Sequence, residues 1–128
     1  MTTMIKPPLK DSHRSLGSAK HGTHHWWMQR MSAAGLVILG LWFLFSLYGQ
    51  TFTYNHMITW IQAPHRAIAM ILLLSTGFYH GYLGLQVVIE DYVHHSTFRI
   101  IILWAAKFLC GAAAVAGVFS VIKLATGH

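Results

Sequence analysis

Ten histidines, three acidic residues and a single cysteine are the side chains of this sequence with the most obvious chemistry to offer. The acids, Asp11, Glu90 and Asp91, are too few for paired general acid-base work, and no phosphate-binding glycine loop or nucleophile motif accompanies them. Cys110 lies in an apolar run and reads as inert packing, with no disulfide framework. The histidines sort by position. His13, His21, His24 and His25 precede the first apolar run, His56 and His65 fall between the first and second, His94 and His95 between the second and third, and His128 is terminal. These read as solvated or interfacial imidazoles. His80 is the exception, because in HGYLGLQVVIEDYVHH it opens a stretch still inside the second run, about ten residues or ~15 Å of helix from that run's end.

The element that must hold His80 follows from composition. With 55% hydrophobic and 9% charged residues, the chain lacks the polar surface that a soluble domain of its size needs. Three runs, 31–48, 67–89 and 100–122, are nearly free of charge, interrupted by His80 in the second and Lys107 in the third. Each approaches the ~20 residues that cross a bilayer as a helix. The expected fold is an all-α membrane protein, with transmembrane helices at about 28–48, 65–90 and 98–123 forming one unit, 26–128. Residues 1–25 are polar, carry Lys6, Lys10, Arg14 and Lys20, and have no apolar h-region, so they read as a mobile tail and not a cleavable signal peptide. Positive charge on that tail puts the N-terminus in the cytoplasm and, after three crossings, the C-terminus outside. Turn signals run from Gly49 through Asn55, Pro64 opens the second span, and Ser96 or Thr97 is expected to cap the third. The net charge of +6 flanks the spans without a basic-aromatic motif, which favours lipid headgroups and a partner protein over nucleic acid.

An imidazole within a span hydrogen-bonds another helix, relays protons or ligates a metal, because leaving its ring nitrogens unpaired there is costly. At 100° per residue, Gly77, Gly84, Val87 and Asp91 fall within about 60° of the His80 direction, which gives that face a shallow groove. Haem is the metal centre that suits an isolated deep histidine with small neighbours, and a second axial histidine would have to come from another subunit. The competing reading is plain helix packing through the glycines. At the end of the span, Tyr92 beside Asp91 has the hydrogen-bond donor that a quinone carbonyl accepts, while interfacial tyrosine belts offer the structural alternative. Lys107, about nine residues into its span, is expected to snorkel toward the cytoplasmic interface.

The pattern His80-x3-Gly84-x6-Asp91-Tyr92, with Gln86 between and Arg99 seven positions past Tyr92, resembles the second helix of the D-type hydrophobic membrane anchor subunits of succinate dehydrogenase. HHWWMQRMSA resembles the approach to their first helix, where a histidine and, six positions on, an arginine occur; here these are His24 and Arg30. The resemblance runs from about residue 17 through the third span, with little signature in the tail or that last span, and it assigns Lys107 no role.

The resemblance implies a three-helix anchor that pairs with a C-type cytochrome b anchor subunit in a helical bundle and docks the iron-sulfur and flavoprotein subunits of complex II at the cytoplasmic face. It implies that His80 gives one axial ligand to a shared haem b, that Arg30 meets a haem propionate with His24 as companion, and that Tyr92, supported by Asp91, binds ubiquinone. It implies residence in the cell inner membrane or the mitochondrial equivalent. Electrons from succinate would then reach ubiquinone at a pocket this chain helps to wall, with no complete active site in this chain alone. The alternatives are an anchor of a quinol:fumarate reductase, running the same parts in reverse, and a structural membrane module in which His80 and Lys107 only bridge helices.

Overall fold

The computed structural model describes residues 12–127, with side chains described from residue 22. Four helices follow in order, α1 (Ser12–Leu47), α2 (Tyr54–Ile61), α3 (Pro64–Tyr92) and α4 (Ser96–Thr126), and no strand occurs among the described residues. Three segments, Gly22–Leu47, Pro64–Tyr92 and Ser96–Thr126, are long and apolar enough to cross a bilayer. The all-α fold with three candidate spans is therefore as expected.

Helix ends have local causes. Beyond α1, Gly49 takes the left-handed conformation (φ 75°) that glycine adopts without a Cβ penalty, and the Gln50 N–H bonds back to the Leu47 carbonyl at 3.1 Å. Pro64 occupies the first turn of α3, where its missing N–H is no loss. The start of α4 differs from expectation. Neither Ser96 nor Thr97 is the cap; His95 is, its Nδ1 accepting from the Phe98 N–H at 3.3 Å. Two further differences concern extent. Helical backbone continues upstream to Ser12, so α1 takes in 12–25 of the stretch expected as a polar, mobile tail; no proline lies between Ser12 and Leu47, and extending an existing helix needs no new nucleus. The rest of that tail, 1–11, lies outside the described residues, as does His128. The connection after α1 holds the short helix α2, which buries Trp60 and Ile61 on one face.

α3 is the central element. Its backbone approaches those of both α1 and α4 closely, while the backbones of α1 and α4 do not approach each other among the described residues. Small residues set the approach, as is usual between membrane helices. A Cβ on Gly35 or Gly77 would stand 3.5 Å from Thr76 Cγ2 or 3.7 Å from Leu36 Cδ2 across α1 and α3, and one on Gly117 would stand 3.3 Å from Leu74 Cδ1 across α3 and α4. The buried cluster gathers at the α2 end, where Trp60, Ile61, Ala67 and Val121 join beneath Trp42 and Phe43. Most other large apolar side chains, such as Ile38, Phe45, Phe108 and Phe119, point outward. A soluble domain does not carry such a surface, whereas a helix bundle facing lipid or another membrane subunit does.

Candidate functional site

A polar contact joins α1 and α3 between their membrane-spanning segments. Ser32 Oγ lies 2.9 Å from His80 Nδ1, joining positions 48 apart in the chain, and the same hydroxyl donates to the Gln29 carbonyl oxygen at 2.9 Å. Ser32 is the buried polar residue of the described chain, at 8% exposure. Back-bonding to the preceding turn is the ordinary way a helical serine disposes of its proton inside a membrane. His80 Nε2 has no hydrogen-bond partner among the described residues and is not among the orphaned buried atoms, so it reaches the surface. The groove expected around His80 is only partly covered. Gly77 packs on Leu36, but a Cβ at Gly84 would meet nothing within 4 Å, and Val87 and Asp91 are exposed.

The quinone candidates sit at the other end of α3. Asp91 and Tyr92 form its last residues, and Tyr92 is twelve positions beyond His80 and so ~18 Å along the axis. Tyr92 is 78% exposed, with no hydrogen bond to its hydroxyl among the described residues. Two positions earlier, Glu90 accepts a 3.0 Å hydrogen bond from Gln86 Nε2. Asp91 is exposed and takes no part in that bond.

Arg30 and His24 are not brought to His80. Arg30 lies two positions, and therefore about 200° of helix, from the inward-facing Ser32, and its guanidinium stacks 4.7 Å from the Trp26 ring. His24 is exposed. The inward-facing histidine of the pair is His25, whose Nε2 is buried without a partner, as is Gln29 Oε1 one turn on. Lys107 stands with its ammonium 5.1 Å from the Trp104 ring, displaced toward the start of α4 as snorkelling requires. No group of three or more His, Cys, Asp or Glu side chains converges among the described residues. Ser32 and the inward turn of His25 escaped sequence reading; the signal available was the spacing of 25, 29 and 32, which puts all three on one helix face.

Three apolar helices joined by a polar contact at membrane depth define a multi-pass membrane protein. Comparison with known proteins narrows this class. The sequence model of the succinate dehydrogenase/fumarate reductase transmembrane subunit family matches residues 4–121. The succinate dehydrogenase hydrophobic membrane anchor subunit of Rickettsia bellii is 39% identical over 95 residues, covering 73% of this chain and 76% of its own length. Its counterpart in Rickettsia conorii is 30% identical over 99 residues (76% and 79%), and that of Paracoccus denitrificans 26% identical over 113 (88% and 87%). The chain belongs to this family, as a membrane anchor subunit of succinate dehydrogenase.

Proposed function

We propose that this anchor supplies, through His80, one axial ligand of a b-type haem shared with a C-type cytochrome b anchor, and, through Tyr92 with Asp91, part of a ubiquinone-reduction site. The observation that supports it most is the state of His80: one ring nitrogen is tied to α1 and the other is unpartnered and accessible, deep within an apolar helix. A purely structural histidine would gain from pairing both nitrogens, whereas an axial ligand must leave one for iron. The donor set therefore fits a haem, and the open space at Gly84 fits a flat ring lying close to the backbone. Bound there, the haem supplies a one-electron carrier within the membrane. Arg30, stacked on Trp26 and turned away from the His80 face, would meet a propionate carboxylate only by leaving that ring, with His24 as its companion on the exposed side of α1.

Reduction of ubiquinone to ubiquinol takes two electrons and two protons. In this proposal the electrons come from succinate by way of the flavoprotein and iron-sulfur subunits, which dock at the Tyr92 end of the bundle, taken as cytoplasmic from the positive N-terminal tail. The exposed Tyr92 hydroxyl donates a hydrogen bond to a quinone carbonyl, drawing electron density toward that oxygen as it gains charge, and the Asp91 carboxylate supports its polarity. The same parts would serve a fumarate reductase in reverse, and the family includes both. The succinate dehydrogenase names of the relatives in Rickettsia and Paracoccus favour succinate oxidation.

The test is His80→Ala in the assembled complex. The low-spin b-type signal in a reduced-minus-oxidised spectrum should be lost or distorted, while electron transfer from succinate to an artificial dye continues upstream of the anchor. An unchanged spectrum would overturn the ligand assignment.

A further inference from the structure

The Ser32–His80 contact carries more than a link between helices. A serine hydroxyl has one proton. The Gln29 carbonyl oxygen, 2.9 Å away, can only accept, so that contact takes the proton of the hydroxyl. The contact between Ser32 Oγ and His80 Nδ1, also 2.9 Å, still needs a proton between its two atoms, and only Nδ1–H can provide it. A neutral imidazole carries one N–H, so Nε2 is left with its lone pair bare. Resting on the reading of His80 as a haem ligand, we propose that Ser32 is its positioning residue, holding the Nδ1–H tautomer and aiming Nε2 out of the α1–α3 interface toward the iron.

Two features make the arrangement more than incidental. Ser32 is 8% exposed, so water does not compete for the bond. The chain His80 Nδ1–H to Ser32 Oγ–H to Gln29 C=O runs in one direction, so each bond polarises the next and makes Nε2 a stronger electron donor toward a metal. A stronger axial donor favours ferric over ferrous iron. Removing the hydroxyl leaves Nδ1–H without an acceptor and lets the Nε2–H tautomer, which cannot ligate, compete.

The experiment compares Ser32→Ala, Ser32→Thr and His80→Ala in the purified, fully assembled complex. Haem content, the reduced-minus-oxidised spectrum and a potentiometric titration are read, alongside succinate-to-dye activity and subunit stoichiometry. Ser32→Ala should lower haem affinity on the order of 10- to 100-fold, the usual effect of losing the partner of a ligating histidine, and the haem retained should titrate at a higher potential. Ser32→Thr keeps a hydroxyl able to back-bond to the preceding turn and should restore both toward wild type; dye activity should hold in both. Wild-type haem content and potential in Ser32→Ala, with the signal lost in His80→Ala, would overturn the positioning role and leave the ligand standing. Equal damage in Ser32→Ala and Ser32→Thr would assign the effect to helix packing and also overturn it. Retention of the low-spin signal in His80→Ala would remove the ligand reading and this proposal with it.

Discussion

Tyr92 separates two roles by a single hydroxyl. At 78% exposure on the last turn of α3, its ring is positioned either as an interfacial anchor or as a wall of a pocket completed by partners. Tyr92→Phe keeps the ring and removes the donor. Losing a hydrogen bond in a partly desolvated pocket costs on the order of 1 to 3 kcal/mol, or roughly five- to hundredfold in rate or binding. The variant complex should assemble, keep its haem signal and reduce an artificial dye at the wild-type rate, while ubiquinone reduction falls by that factor. Equal retention of dye and quinone rates would return Tyr92 to the structural belt. His80 and Tyr92 could be singled out in the sequence, His80 as a polar residue inside an apolar run and Tyr92 as a tyrosine beside a carboxylate at that run's end. Ser32 could not, because one small hydroxyl in a span is ordinary until its neighbour across the interface is known.

At the scale of the element, the direction of a helix decides what a lone charge does. Lys107 lies eleven residues past the first residue of α4, ~17 Å along the axis. Side chains on a helix lean toward its N-terminus, which here is the Tyr92 end, and the ammonium accordingly lies near Trp104, itself stacked on Phe108 at 5.8 Å between centroids. This contact lets the charge rise toward the interface with its stem in apolar surroundings. Lys107→Met should therefore assemble with normal subunit stoichiometry and normal quinone reductase activity in purified membranes. Failure to assemble would reveal an anionic partner on another subunit. The start of α4 shows the same dependence on geometry: Ser96 and Thr97 are good cap types, yet the chain turns one residue earlier and His95 fills the position.

Over the whole molecule the two ends of the bundle differ. The α2 end holds the buried tryptophan cluster, flanked by the exposed Tyr48, Phe52 and Tyr54. Trp60 is 4% exposed, with its ring centroid 6.2 Å from that of Trp42 and 6.3 Å from that of Phe43. Its indole donates to the Ser46 carbonyl at 3.3 Å, and Arg66 lies 5.4 Å from its ring while donating to its carbonyl at 3.3 Å. These contacts tie α1, α2 and α3 together. The Tyr92 end lacks such a cluster among the described residues, and Trp26, Trp27, Asp91 and Tyr92 are exposed there. Trp60→Ala should lower stability by about 3 to 5 kcal/mol, read as an earlier thermal loss of the detergent-solubilised complex. At permissive temperature the haem spectrum and quinone reduction should be unaffected, because the site lies toward the opposite end. A wild-type melting temperature would show that the partner subunits, and not this cluster, hold that end together.

Sequence by itself determined the three spans, their order and the isolation of His80, because crossing a bilayer demands long apolar helices and makes any polar residue within them conspicuous. It also determined Gly49 and Pro64 as breaks, through backbone preferences that need no partner. Tertiary structure decided what those residues meet. It made α3 the central helix, folded the connection after α1 into α2 over a tryptophan cluster, turned His25 inward and His24 outward, and set Ser32 against His80. Apolar periodicity is weak in a helix that is hydrophobic on every side, so which face meets which neighbour is settled by close packing of small residues and by hydrogen bonds between helices. Those pairings join residues dozens of positions apart and become visible only when the helices are side by side.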